Sequence, residues 1–154
     1  MSTAQSKFRM VDVAAKREER REALATGKLK LKETTLDLMR EGKTEKGDPF
    51  AAAEVAAILA AKGTSNIIPL CHPIPISEVK VAGNIVDDGV VVEASVRATA
   101  KTGVEMEALV AAAVYLLTVW DMTKQYEKDE EGQYPSTAIE SIRVVRKVKS
   151  DVDK

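Results

Sequence analysis

The run from Val104 to Tyr126 is the strongest constraint on the fold. Its pattern predicts one long helix, and between Ala108 and Leu117 apolar residues cover nearly every face. A helix of that kind has to be buried on more than one side. The longest uncharged apolar stretch within it, Ala108 to Trp120, is shorter than the ~20 residues a bilayer span needs. The helix is therefore expected to lie inside a globular core. Alanine, valine and leucine dominate and aromatic residues make up only 4%, so small aliphatic side chains would build that core and allow close approach of helices or subunits.

The remaining elements supply the layers around it. Phe8 to Val13 alternates and predicts a short strand. Lys16 to Glu22 is a charge run, read as a solvated connection. Ala23 to Lys32 contains the alternation Leu29-Lys30-Leu31-Lys32 and predicts a half-buried strand. Glu33 to Glu41 predicts a short helix stopped by Gly42. Asp48-Pro49 is a strong helix start, because Asp48 can cap free N–H groups and proline suits the first helical position. That alanine-rich helix runs to Lys62 and ends at Gly63. Asn66 to Pro75 holds three prolines and predicts an extended loop. Ile76–Val86 and Val90–Thr99 predict strands joined by the hairpin signal Asp88-Gly89. Glu127 to Thr137 reads as a polar turn region, and Ile139 to Val148 as a last strand.

In order, these elements predict an α+β fold, a ferredoxin-like βαββαβ sandwich with an additional N-terminal strand and a short helix. At 154 residues the chain is expected to form one domain, 1–154, with 1–7 and 150–154 flexible. The fold hosts many unrelated activities, so function has to come from the site.

Charge and composition narrow the options. There are 23 basic and 24 acidic side chains, so the chain lacks the basic excess of a nucleic-acid binder. Few aromatics are available for base stacking, which argues against an RNA-recognition module. The lone cysteine, Cys71, excludes a disulfide within the chain and suits a reducing cytoplasm. Met1 to Gln5 lacks an apolar signal core. No membrane association is expected.

Four segments could carry chemistry. His72, the sole histidine, sits in Leu70-Cys71-His72-Pro73, where prolines stiffen the backbone. It fits a general acid/base or phosphate donor, and equally a chance loop histidine. Cys71 reads as a small packed residue rather than a nucleophile. With no other Cys or His, no zinc site is expected. Thr102 and Glu105 fit a capping box at the start of the long helix, whereas Glu107 has only dipole complementarity as a structural explanation. Near the other end, Asp121 and Lys124 share a face. Asp121 is misplaced against the negative helix end, as either a functional group or half of an ion pair. Lys46, in Lys46-Gly47-Asp48 before a helix N-terminus, could receive an anion or be a solvated loop lysine.

Glu107 and Asp121 are fourteen residues apart, about 21 Å along a helix axis. One chain cannot easily bring both to one small ligand. If they cooperate, the site should be composite, at a symmetric subunit interface.

Taken together, Met10-Val11-Asp12-Val13, Lys46-Gly47-Asp48, Ile68-Pro69-Leu70-Cys71-His72-Pro73, Lys101-Thr102-Gly103-Val104-Glu105-Met106-Glu107-Ala108-Leu109 and Asp121-Met122-x-Lys124 occur in this order. The chain resembles the MoaC family, the cyclic pyranopterin monophosphate synthases of molybdenum cofactor biosynthesis, over about residues 8–149. The resemblance implies a ferredoxin-like subunit and a homohexamer built as a trimer of dimers with active sites at interfaces. It implies a phosphorus–oxygen lyase that converts 3′,8-cyclo-7,8-dihydro-GTP to cyclic pyranopterin monophosphate with release of pyrophosphate. The family's catalytic residues fall on Asp121, Lys46 and Lys124. Its substrate-contacting residues fall on Leu70, Cys71, His72, Glu105, Met106 and Glu107, with Arg21, Lys101 and Lys147 as further phosphate-binding candidates. The resemblance assigns no metal ligand, and Mg2+ would arrive, if at all, with the triphosphate.

The chemistry suits these residue types. The rearrangement needs several proton transfers, and a lysine beside an acid, when partly desolvated, can have its pKa moved toward working pH. Pyrophosphate departure needs positive charge around the leaving group. One departure from the family is visible. The chain ends Lys149-Ser150-Asp151-Val152-Asp153-Lys154, without the glycine-rich basic tail often found there. The competing reading is a non-catalytic module of the same fold that binds a nucleotide or metabolite.

Overall fold

The structure, a computed structural model, describes residues 7–153. Its elements are β1 (Glu19–Lys30), α1 (Glu33–Arg40), α2 (Pro49–Lys62), α3 (Thr64–Ile67), β2 (Ile76–Val86), β3 (Gly89–Ala100), α4 (Glu105–Glu127) and β4 (Ala138–Ser150). The four strands form one sheet in the order β2-β3-β1-β4, and every neighbouring pair is antiparallel. Helices α2 and α4 pack on one face, α4 against β1, β3 and β4, and α2 against β2 and α4. The result is an α+β architecture of two layers.

Strand alternation places the core. Ala23, Ala25 and Leu29 of β1 and Val90, Val92, Ala94 and Val96 of β3 are fully buried. They meet Ala108, Ala111, Ala112, Leu116 and Val119 of α4 and Ala53 and Ala57 of α2, also fully buried. Small side chains let these layers close tightly. At Gly27 an added Cβ would come within 2.9 Å of Leu116 Cδ1, nearer than packed carbons sit. Across the chain, the Tyr115 ring lies over Gly83, where a Cβ would have no room, and stacks on Phe50 at 6.3 Å.

The caps behave as the residue types dictate. Asp48 Oδ1 accepts from the Phe50 N–H at 2.9 Å, with Pro49 at the first position of α2. Gly42 takes φ +66° just beyond α1, the left-handed geometry that glycine tolerates best. Asp87 and Asp88 turn the chain between β2 and β3.

Several expectations are corrected. Residues 8–13 are not in a strand. Phe8 and Val11 are 68% and 65% exposed, so alternation here has no buried face to serve. The segment ends instead in a turn, with Asp12 Oδ1 accepting from Ala14 N–H at 2.8 Å and Val13 C=O from Lys16 N–H at 3.0 Å. The charge run is a connection only in its first half, since Glu19–Glu22 open β1. Opposite charges on neighbouring strands make this possible. Glu22 pairs with Arg97 at 3.0 Å and Arg146 at 2.8 Å, and Glu19 with Lys149 at 3.3 Å. A single turn of helix, α3, follows Gly63 where only loop was expected. β4 continues through Ser150, the first residue of the segment expected to be flexible. Residues 1–6 and 154 lie outside the described residues. Helix α4 packs on both the sheet and α2, but Leu117 remains 53% exposed. With its ends included, α4 is long and apolar enough to cross a membrane by length and composition, although 44% of its most apolar window is buried here.

Glu127 also departs from its expected place. It is the last residue of α4 rather than the first of a polar turn, and is fully buried. Its carboxylate accepts from the Lys32 N–H at 3.1 Å, from the Thr35 hydroxyl, and from the Thr137 hydroxyl at 2.7 Å. α1 has no side-chain cap of its own, and this distant carboxylate serves its N-terminus, where the helix dipole favours negative charge. Glu127→Ala should therefore strand several buried donors and lower stability by about 3 kcal/mol in urea unfolding. A loss under about 0.5 kcal/mol would show that the buried carboxylate does not hold these segments.

Candidate functional site

The prolines keep residues 68–75 out of regular helix and strand, and Cys71 N–H closes a turn on Ile68 C=O at 3.1 Å. This stiff segment lies against the start of α4. Between them is a cavity of about 350 Å3 lined by Leu70, Cys71, His72, Glu105, Met106 and Glu107. All six substrate-contact candidates from the two motifs therefore meet in one place. Glu107 is 4% exposed. Burial, then the Glu105 charge, raises its pKa above the ordinary carboxylate value. The Cys71 thiol is pushed up by burial and then by Glu107. A thiol held protonated is a poor nucleophile, so Cys71 serves as a wall.

Glu105 does not form a capping box. The N-cap of α4 is Val104, with no side-chain cap, and Glu105 is the first helical residue. Its carboxylate instead meets Lys147 Nζ of β4 at 2.9 Å, because a charged partner offers more than a neutral N–H. Burial opposes its ionisation, but Lys147 and Arg21 outweigh that and hold its pKa below the usual range. Arg21 is itself paired with Glu19 at 3.0 Å, and its Nε is buried without a hydrogen-bond partner. Arg21, Glu105 and Lys147 thus share one neighbourhood and line a small cleft. Lys101 stands on the other side of His72. Its Nζ donates to Ala14 C=O at 3.0 Å, and with His72 and Val13 it lines a second cavity of about 310 Å3.

The catalytic candidates gather at the opposite end of α4. Lys124 Nζ meets Asp121 Oδ1 at 2.9 Å. Lys46 Nζ donates to the Asp121 carbonyl at 2.8 Å and lies 3.6 Å from Asp121 Oδ2. Two ammonium groups therefore offset the position of Asp121 near the helix C-terminus. Lys124 first, then Lys46, depresses the Asp121 pKa, and Asp121 raises that of Lys124. The Lys124 shift thus runs away from working pH, because the partial desolvation that would lower it is too slight. The amine is exposed and sits on a carboxylate, so attraction outweighs desolvation. Tyr134, which the sequence leaves in a polar turn, packs edge-to-face on Trp120 at 5.6 Å and helps to raise the Lys124 pKa. No sequence signal marks it, because its partners are set by how the loop after α4 folds back.

Among the described residues, no three His, Cys, Asp or Glu side chains gather to hold a metal ion. Within one chain the two halves of the site stay apart. The fourteen-residue step from Glu107 to Asp121 lies within one unbroken helix, so about 21 Å separates them along its axis.

The buried carboxyl gives a pH test. The folded pKa of Glu107 is raised, so the native state holds this proton more tightly than the unfolded chain, and stability falls as pH rises from the unfolded pKa through the folded one. Glu107→Gln, neutral throughout, should gain on wild type across that window and keep a constant advantage above it. Urea midpoints at stepped pH measure this, and a difference independent of pH would contradict the burial argument.

Comparison with known proteins places the chain in a family. The sequence profile of the MoaC family matches residues 10–150. A Pyrococcus furiosus protein named "Probable cyclic pyranopterin monophosphate synthase" is 54% identical over 143 residues, covering 93% of this chain and 92% of its own. A Sulfolobus acidocaldarius protein of the same name is 53% identical over 92% of this chain and 99% of its own. A Methanothermobacter thermautotrophicus protein, 50% identical over 97% of this chain and 94% of its own, is named "Probable cyclic pyranopterin monophosphate synthase accessory protein". A profile matching nearly the whole chain, with relatives at this identity, leaves one conclusion: the chain belongs to the MoaC family.

Proposed function

We propose that this chain is a cyclic pyranopterin monophosphate synthase of molybdenum cofactor biosynthesis, a lyase acting on 3′,8-cyclo-7,8-dihydro-GTP with release of pyrophosphate. The observation that carries the reading is the convergence of Lys46 and Lys124 on Asp121, the acid–base group that a multistep proton rearrangement needs. Asp121 is the catalytic carboxylate, and the two lysines hold it ionised and meet negative charge that develops on the substrate. His72, Glu105, Glu107, Leu70, Cys71 and Met106 form the walls and polar contacts of the ring pocket. Arg21, Lys101 and Lys147 receive phosphates. Each of these three is held near the pocket by a carboxylate or carbonyl that an anionic ligand can displace.

The reading includes a homohexamer, a trimer of dimers, with each site shared between subunits. Two facts support it. The acid group and the pocket lie at opposite ends of α4, and Val55, Leu59 and Leu117 leave apolar side chains 60%, 63% and 53% exposed on the helical layer. The strand order β2-β3-β1-β4 with α2 and α4 on one face supports a ferredoxin-like subunit folded as one domain. The cytoplasm, where nucleotide substrates are made, is the proposed compartment. Mg2+ would enter as a counter-ion of the triphosphate.

Purified protein should convert the cyclised dihydro-GTP to the pterin with stoichiometric pyrophosphate. Asp121→Asn should lower kcat/KM at least about 100-fold with unfolding temperature unchanged. Full activity in that variant would remove Asp121 from the chemistry, and no turnover by wild type would leave a binding module.

A shared site adds a second expectation. Inactive Asp121→Asn and Glu107→Gln proteins, mixed under conditions of verified subunit exchange, should recover part of wild-type activity, because some interfaces then receive two intact halves. No recovery would point to a site within one chain.

A further inference from the structure

Of the three groups at the acid centre, Asp121 and Lys124 ride on α4, whose geometry sets their relation. Lys46 does not. It arrives from the loop of residues 41–48 between α1 and α2, seventy-five residues away in sequence. That loop contains Gly42 at φ +66° and Gly47 at φ +106°, so its backbone has more freedom than its neighbours. The buried Thr44 closes it internally, its hydroxyl donating to Gly47 C=O. An internal bond shapes the turn without tying it to α4.

Besides the contacts of Lys46 itself, two tie it. The Glu45 N–H donates to Tyr126 Oη at 2.8 Å, and Gln125 Nε2 donates to Glu45 Oε2 at 2.9 Å. Both partners are in the last turn of the helix that carries Asp121 and Lys124, and both act on the residue next to Lys46. We propose that Tyr126 is a positioning residue for the reaction. Through the Glu45 main chain it holds the loop so that the Lys46 ammonium stays on Asp121, with Gln125 in support. This rests on the reading of Lys46 and Asp121 as the acid–base group. Tyr126 acts on a backbone N–H, which every residue but proline supplies, so no local motif announces it. Displacing a catalytic group by about 1 Å can cost ~100-fold in rate, and one hydrogen bond to the adjacent amide restrains a shift of that size.

Tyr126→Phe keeps the ring and removes the acceptor. In the full-length protein kcat should fall about tenfold with KM within about twofold. The same change in a Lys46→Ala background should cost nothing further, because Tyr126 works through Lys46. An activity-independent measurement accompanies this. The acylation rate of Lys46 by an amine-reactive acetyl ester, read by peptide mass spectrometry and normalised to Lys124 in the same molecule, should rise at least about threefold. Gln125→Ala, at an exposed position, should shift Lys46 acylation the same way by less, and serves if Tyr126→Phe folds poorly. Unchanged kcat with unchanged acylation overturns the proposal, as does a loss fully additive with Lys46→Ala. Raised acylation in a protein whose wild type has no turnover supports the clamp and overturns only the reaction assigned to it.

Discussion

The fixed rise of α4 is the constraint on which the rest of the structure depends. A continuous helix of 23 residues cannot bend its ends together. Its first turn carries Glu105 and Glu107 against the proline-stiffened 68–75 segment, and its later turns carry Asp121 and Lys124. Buried alanines of α4 pack closely on β1 and β3. The separation of about 21 Å is therefore a property of the folded core and not of a loop that could relax. Any account in which both ends act on one small molecule has to bring in a second subunit.

The charges follow the same logic. A chain with near-zero net charge carries its positive groups in local pairs: Lys147 on Glu105, Arg21 on Glu19, Lys46 and Lys124 on Asp121. The exposed pairs among these, Lys46 and Lys124 on Asp121, contribute little to stability, typically under ~1 kcal/mol. In the proposed reaction their use is positional, since each holds a long flexible cation where an incoming anion would need it. Buried Glu107 is the contrasting case. Burial, and then the neighbouring Glu105 charge, keeps its carboxyl from ionising easily.

Elements governed by neighbouring residues were legible in the sequence. Asp48-Pro49, Gly42 and Asp88-Gly89 mark their boundaries through capping and turn chemistry that acts within a few positions. The candidate site residues were legible as motifs, and one cavity gathers six of them together. What was not legible depended on partners far along the chain. The alternation in Phe8–Val13 looked like a strand, but Phe8, Met10 and Val11 stay exposed. The run Lys16–Glu22 looked solvated, yet Arg97, Arg146 and Lys149 on adjacent strands draw Glu19 and Glu22 into β1. Thr102-x-x-Glu105 satisfied the capping-box pattern, but Lys147, forty-two residues on, took the carboxylate.

The same distinction explains why the end of α4 was the hardest part to read. Gln125, Tyr126 and Glu127 look like a helix fraying into the polar turn that follows. Each instead fastens a segment at least eighty residues upstream: Gln125 and Tyr126 the Glu45 loop, and Glu127 the start of α1. The segment from Lys32 to Asp48 is thereby held at both of its ends by one helical turn. A loop anchored at one end would let thermal motion accumulate along its length. Anchored at two, its only catalytic candidate, Lys46, is left with little freedom but that of its own side chain. The buried carboxylate and the phenolic oxygen are in this sense parts of one device. The first sets where α1 begins, and the second sets where the loop after it ends, next to the helix turn that carries Asp121 and Lys124.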